Sequence, residues 1–410
     1  MTLTDEPWRL QPGHLRRLEQ RSRALLQFAR ASVRPEGGFW WLDGDGNPDP
    51  SLPLHTWIAT RMTHVFALAN LLGEPDTAGV VDHGIRALTG LLRDPDYGGW
   101  FASVDTEGAP VDADKAAYPH AFVVLAASSA VRAGRPGAAE LLSDALAIVS
   151  EHFWDDEAGR TMESWSRDWS TPEAYRGANS SMHMVEAFLA AGDATGDQRW
   201  NERALRISKH LIHRVAAGND WRLPEHFAED WTPLLDYNAD HPADPFRPYG
   251  YTIGHALEWS RLLIHVEAVT PDAPSWLLHD ATALFAAAVE RGWAVDGADG
   301  FVYTRGWDDE MVVRQRMHWV VAEGIAAAAV LSARTGDPAY DVWYRRFWDF
   351  AEEHFIAANG GWQHELDETN KPAATIWQGK PDTYHAYQAT VIPTLPITGA
   401  VAGGVVAKSR

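Results

Sequence analysis

Cysteine is absent from the 410 residues, which excludes disulfides, thiolate metal sites and a cysteine nucleophile. Basic charge is scarce. Thirty-five Lys and Arg face 56 Asp and Glu, for a net charge of -21. With no Lys/Arg-rich block to offset that sign, the chain is unsuited to nucleic acid or an anionic membrane. No apolar run approaches the roughly 18 residues of a membrane span. The stretch Met1-Thr-Leu-Thr-Asp-Glu-Pro7 lacks the basic and apolar regions of a secretory signal. These absences predict a soluble, cytoplasmic protein. No Gly-rich phosphate loop is present either, so no motif calls for a nucleotide.

What is plentiful is tryptophan, at 20 residues, many of them in Gly/Asp-rich loops. Core packing is one use of such rings, and stacking on a sugar face is another. The hydrophobic patterning is helical. His14–Val33 is amphipathic and reads as an outer, half-solvated helix. A loop with Glu36-Gly-Gly-Phe-Trp-Trp41 follows, and then Trp57–Leu72, apolar almost all round after its first turn and therefore buried.

That order repeats. Further outer helices are predicted at Thr77–Arg93, Ala138–Phe153, Gln198–Ala217, Ser275–Trp293 and Ala339–Ile356. Tyr97-Gly-Gly-Trp-Phe101, Gly300-Phe-Val-Tyr303 and Asn359-Gly-Gly-Trp-Gln363 repeat the Gly/aromatic loop. Apolar segments then follow at Ala116–Ala133, Ala178–Ala194, Thr252–Val269, Arg316–Arg334 and Asp382–Ile397. Each inner segment carries a histidine near its start: His64, His120, His183, His255, His318 and His385, spaced by 56, 63, 72, 63 and 67 residues. A period of that size holds one helix pair and a long loop. Six pairs predict an all-α fold, a closed six-hairpin α/α toroid, forming one domain over residues 1–410. An open solenoid is the alternative, but polar capping repeats are not evident. Parallel inner helices would bring six histidines and the aromatic loops to one mouth, where helix N-termini favour an oxyanion.

Several openings could carry chemistry. Arg61 lies three residues before His64, so both can face the mouth; a solvated arginine is the plainer alternative. Tyr118-Pro-His120 offers a phenol and an imidazole, and His120 can equally be a packed helix-start residue. Tyr175-Arg-Gly-Ala-Asn179-Ser-Ser-Met-His183-Met-Val-Glu186 places a guanidinium, an amide, an imidazole and a carboxylate at one helix opening. His183/Glu186 and His255/Glu258 are His-x-x-Glu pairs on single helix faces. Such a pair is a histidine held by its own helix, a fragment of a metal site, or an acid–base unit whose carboxylate orients the imidazole. No His-Glu-x-x-His accompanies them, and a metal is not expected. Arg247 sits between prolines that stiffen its loop. Asp382, three residues before His385, is a candidate cap and orienting partner, whereas Glu323 lies off the face of His318.

The Tyr175–Glu186 run, Gly254-His255-Ala-Leu-Glu258-Trp259 and Asp382-Thr-Tyr-His385-Ala-Tyr-Gln388 together resemble the N-acylglucosamine 2-epimerase superfamily. The likeness extends over essentially the whole chain. Around Arg61-Met-Thr-His64 and Asp382–Gln388 it is greatest to the branch of mannose and sulfoquinovose isomerases. The resemblance implies an (α/α)6 barrel, no cofactor and no metal. It also implies His255 and His385 as the acid/base pair, with Arg61, Tyr118, Asn179, His183, Arg247, Glu258 and Trp319 as substrate contacts. The expected reaction is aldose–ketose isomerisation of a monosaccharide, D-mannose with D-fructose and related aldoses, through a cis-enediolate. His385 would work at C1 and C2, and His255, backed by Glu258, at the oxygens. Alternatives are 2-epimerisation of a free sugar or a cellobiose-like disaccharide, sulfoquinovose isomerisation, a glycoside hydrolase on an α/α toroid, or a non-catalytic sugar-binding protein.

Overall fold

A computed structural model describes residues 6–409; the Met1–Asp5 part of the N-terminal stretch lies outside the described residues. Outer and inner helices alternate along the chain. They are α1 (Pro12–Ala29), α2 (Thr56–Leu71), α3 (Ala78–Thr89), α4 (Ala117–Arg132), α5 (Ala138–Ile148) and α6 (Ala178–Thr195). The second half continues with α7 (Gln198–Ser208), α8 (Ile253–Val269), α9 (Trp276–Gly292), α10 (His318–Thr335), α11 (Pro338–Phe350) and α12 (Tyr384–Val391). The even-numbered helices are the apolar ones. Their burial on all sides follows from packing between neighbours in the ring and an outer helix behind.

The ring is closed. Each even-numbered helix packs on the next, and α12 packs back onto α2. That contact excludes the open solenoid. The (α/α)6 barrel is thus the observed architecture, and its buried apolar residues form one connected cluster. A last helix, α13 (Val401–Lys408), which the repeat pattern did not assign, packs on α2, α4 and α6 and closes the far end.

Several boundaries differ from expectation for identifiable reasons. The outer helices α5, α7 and α11 end in wider π turns at Val149–Phe153, Lys209–Ala216 and Ala351–Phe355. The segment predicted at Asp382–Ile397 is helical only to Val391 and a short 3-10 turn, because Pro393 and Pro396 cannot continue a helix. The Gly/aromatic loops are tight hairpins in which Val33, Arg93, Trp293 and Ile356 bridge Phe39, Trp100, Phe301 and Trp362. Those four rings are buried in the core, so they pin the loops and are not free to stack on a sugar.

One recurring contact sets the mouth. The first N–H of an inner helix has no partner within its helix. Here it donates to a carbonyl in the next repeat: Thr56 to Ala102, Ala117 to Glu163, Ala178 to Glu225, Ile253 to Tyr303, and His318 to His364. Each bond contributes about 1 kcal/mol net. More importantly, these bonds fix hairpin residues, three of which turn a side chain to the inner helix that follows. Glu163 reaches α6, Glu225 reaches α8, and Tyr303 lies against Trp319 on α10.

Candidate active site

At the N-terminal ends of the inner helices lies a cavity of about 660 Å³, counting its open mouth. His255 and His385 line it from α8 and α12, with Trp319 of α10 between them, ring centres 5.2 and 5.7 Å away. Gly254 makes this packing feasible, since a Cβ there would overlap the Trp319 indole. His255 Nδ1 is 2.8 Å from Glu225 Oε1, and His385 Nδ1 is 2.9 Å from Glu323 Oε1. Neither ring makes a second hydrogen bond among the described residues, which leaves Nε2 of each for a ligand.

These partners correct the sequence reading. Glu258 does not back His255, and Asp382 does not orient His385. Helical spacing put the wrong carboxylates beside these two imidazoles. Asp382 instead accepts from the Tyr384 N–H at 2.8 Å and pairs with Arg61 at 3.1 Å. Glu323, which seemed off the face of His318, points across the ring to the neighbouring helix. Glu225 was missed because its segment, Leu223-Pro-Glu-His-Phe227, carries no motif. A positional signal did exist. Glu225 occupies the same hairpin site as Tyr303 and His364, two residues past the buried Phe301 and Trp362.

Beneath the cavity is a layer of charge. Arg261 Nε lies 2.9 Å from Glu323 Oε2, and its other nitrogens lie 3.6 and 3.7 Å from Glu258 and Glu186. Two groups here bring ligand-type atoms close enough for a metal, His183/Glu186/Glu258 and Glu258/Glu323/His385. Both already surround a cation, the Arg261 guanidinium, which a metal would have to displace. Burial, with Glu323 close by, pushes the Glu258 carboxyl well above its ordinary range. Its Oε1 has no hydrogen-bond partner among the described residues. A proton on Glu258 relieves both penalties and makes it a donor.

The other predicted residues divide. Arg61 lines the cavity, bonded to Tyr118 Oη at 2.7 Å as well as to Asp382, with aromatic rings around it. Despite burial, Arg61 and His385 hold Asp382 below the usual carboxylate range. Tyr118, Asn179, His183, Glu258 and Trp319 also line the cavity. Burial lowers His183 to about 4, and it sits 3.8 Å from Glu258 and 3.9 Å from Glu186. Arg247 does not face this cavity. It pairs with Glu173 at 2.8 Å above the Tyr175 ring and faces an adjoining cleft.

Nor do six histidines share the mouth. His183, His255, His318 and His385 line it, joined by His364, which stacks on His318 at 3.9 Å. His64 lies more than two turns into α2, bonded to Ser129, beside a small void under the Arg261 layer. His120 turns outward, between the Ala116 carbonyl and the Trp100 N–H. An arginine at 61 that faces the mouth leaves His64, one turn on, below the Arg261 layer.

The family model described as N-acylglucosamine 2-epimerase (GlcNAc 2-epimerase) matches residues 37–389. The chain is 58% identical over 400 residues to a D-mannose isomerase of Thermobifida fusca, covering 97% of this chain and 98% of that protein. It is 50% identical over 408 residues to a D-mannose isomerase of Pseudomonas cannabina pv. alisalensis, covering 98% of each. A crystal structure of a D-mannose isomerase superposes with a TM-score of 0.87 at 29% identity, over 96% of this chain and 99% of that one.

Proposed function

The chain belongs to the N-acylglucosamine 2-epimerase family, and from that premise we propose that it is an aldose–ketose isomerase interconverting D-mannose and D-fructose. The substrate reading is supported by full-length relatives bearing the name D-mannose isomerase. The observation that carries the chemistry is the pair of imidazoles on either side of Trp319, each held at Nδ1 by a buried carboxylate.

Isomerisation moves one proton from C2 to C1 and one from O2 to O1. The redox change is internal to the sugar, so no outside electron donor or acceptor is called for. His385 takes the C2 proton and returns it to C1 on the same face of a cis-enediolate. Burial, reinforced by Arg61, keeps this ring well below its ordinary range, so it is neutral and able to accept at pH 7. His255 serves the oxygens and the opening of the pyranose, with Glu225 holding its ring at Nδ1. Glu258, protonated, donates to a sugar oxygen. Arg61 supplies positive potential to the enediolate, and Asn179, His183 and Trp319 hold the sugar.

The test is an NMR time course with mannose in D2O. Fructose should form with deuterium at the exchanging carbon. His385→Ala should lose both while melting as the parent does. Deuterium exchange that persists in His385→Ala would remove that residue from the mechanism. Because two imidazoles face one cavity, return of the proton to the other face of C2 would give 2-epimerisation, seen as glucose in the same spectra.

A further inference from the structure

Two carboxyls stand side by side under the cavity, Glu258 on α8 and Glu323 on α10. An oxygen of each and a ring nitrogen of His385 lie within 4.8 Å of one another. Both side chains are buried. Two like charges so close and so far from water do not coexist readily, so one carboxyl holds a proton. Its location decides what His385 can do. An ionised Glu323 only accepts, which puts the ring proton on Nδ1 and frees the Nε2 lone pair for a sugar proton. A protonated Glu323 would donate to Nδ1, send the ring proton to Nε2 and leave no base facing the sugar.

Arg261 treats the two carboxyls differently. It is fully buried and, being an arginine, keeps its charge. Its Nε–H donates to Glu323 Oε2 at 2.9 Å. Its Nη2 lies 3.6 Å from Glu258 Oε1, beyond hydrogen-bond reach, and neither atom has a partner among the described residues. Burial raises the Glu323 carboxyl, and Arg261 is the largest influence opposing that rise. On Glu258, burial and the neighbouring Glu323 outweigh it.

One carboxylate thus joins a guanidinium to an imidazole, with a different oxygen for each. The unit that holds His255 is built otherwise. Among the described residues no Lys or Arg pairs with Glu225, and its Oε2 has no hydrogen-bond partner. A guanidinium is therefore no general requirement for holding a histidine in this fold. The other titratable groups nearby are committed elsewhere. Despite burial, His183 and Arg261 hold Glu186 below the usual carboxylate range, and it accepts from Tyr384. Beyond His385, Arg61 is paired with Asp382. Burial lowers His64, His183, His265 and His318 to about 4, so none of them brings a positive charge to Glu323 near neutrality.

We propose that Arg261 is a positioning residue that sorts one proton between two acids. It keeps Glu323 ionised, so that Nε2 of His385 is a base, and it leaves the proton on Glu258, which donates to the sugar. The assignment rests on the isomerase reading for the tasks of His385 and Glu258. Neighbouring acids driven apart by their surroundings are how one site obtains both an acid and a base.

The test combines nitrogen NMR of isotope-labelled histidine at neutral pH with the pH profile of kcat/KM for mannose, in the parent and in Arg261→Met. The signal missing from His385→Ala identifies the ring. Its proton should sit on Nδ1 in the parent and on Nε2 in Arg261→Met. In that variant kcat should fall by about 10²-fold or more, while KM moves by less than about threefold. The acidic limb of the profile should move up by about one pH unit or more, because Glu323 without its guanidinium ionises only at higher pH. Arg261→Met/Glu186→Gln removes a cation and an anion together, and it serves if the single variant does not melt as the parent does. A His385 proton on Nε2 in the parent overturns the proposal. So does a folded variant that keeps the proton on Nδ1, or that loses activity with the limb unmoved, since Arg261 would then only hold helices together. If the parent fails to convert mannose, the function falls, while the His385 signal still reports where the proton sits.

Discussion

At the scale of single residues, the site depends on carboxylates that touch no sugar. Glu225 is a positioning residue, and Glu225→Gln keeps its shape while removing the charge beside His255 Nδ1. Turnover is expected to fall by about 10²-fold or more, with KM much less affected, and to depend differently on pH. Steady-state kinetics across pH separates this from a merely structural loss, which would lower the amount of active enzyme without moving the profile. The histidines and Arg61 were legible in the sequence because imidazoles and a guanidinium in apolar helix openings have few plain uses. Their partners were not. A carboxylate that holds a histidine from the next hairpin or the neighbouring helix leaves no mark at i+3 or i+4. Arg247 failed for the converse reason, since prolines that stiffen a loop do not say which way its side chain points.

At the scale of elements, the repeat was readable because one helix of each pair is apolar all round and the other amphipathic. The helix order, the ring and its period all follow from that contrast. What could not be read was rotation about each helix axis, so His64 and His120 were grouped with residues they never meet. Helix contacts also carry a constraint invisible as a motif: Gly254 leaves room for Trp319 between the two imidazoles. Gly254→Ala should displace that indole and lower kcat by about tenfold or more, even though alanine favours the helix by about 1 kcal/mol over glycine. Near-parental melting with impaired turnover is the expected pattern. Unimpaired turnover would mean that the spacing of the imidazoles does not depend on Trp319.

At the scale of the whole molecule, folding buries histidines in their neutral form. Burial lowers His64, His183, His265 and His318 to about 4, against an ordinary 6.5. Between those values the unfolded chain binds protons that the folded chain does not. Stability therefore rises with pH across that window, is fully present above 6.5, and is lost as pH falls towards 4. Melting followed from pH 7 to 4 should show a steep decline, with net proton uptake on unfolding that is greatest between pH 4 and 6.5. A flat profile would mean that these rings are hydrated or charged in the folded state. The seal formed by α13 at the far end has a kinetic corollary. Aldose and ketose occupy the same cavity at the N-terminal ends of the inner helices, so they cannot reside in it together. Each must be a strictly competitive inhibitor of the other's conversion. As the mixture approaches equilibrium, the rate is governed by how quickly the well empties as well as by how quickly protons move.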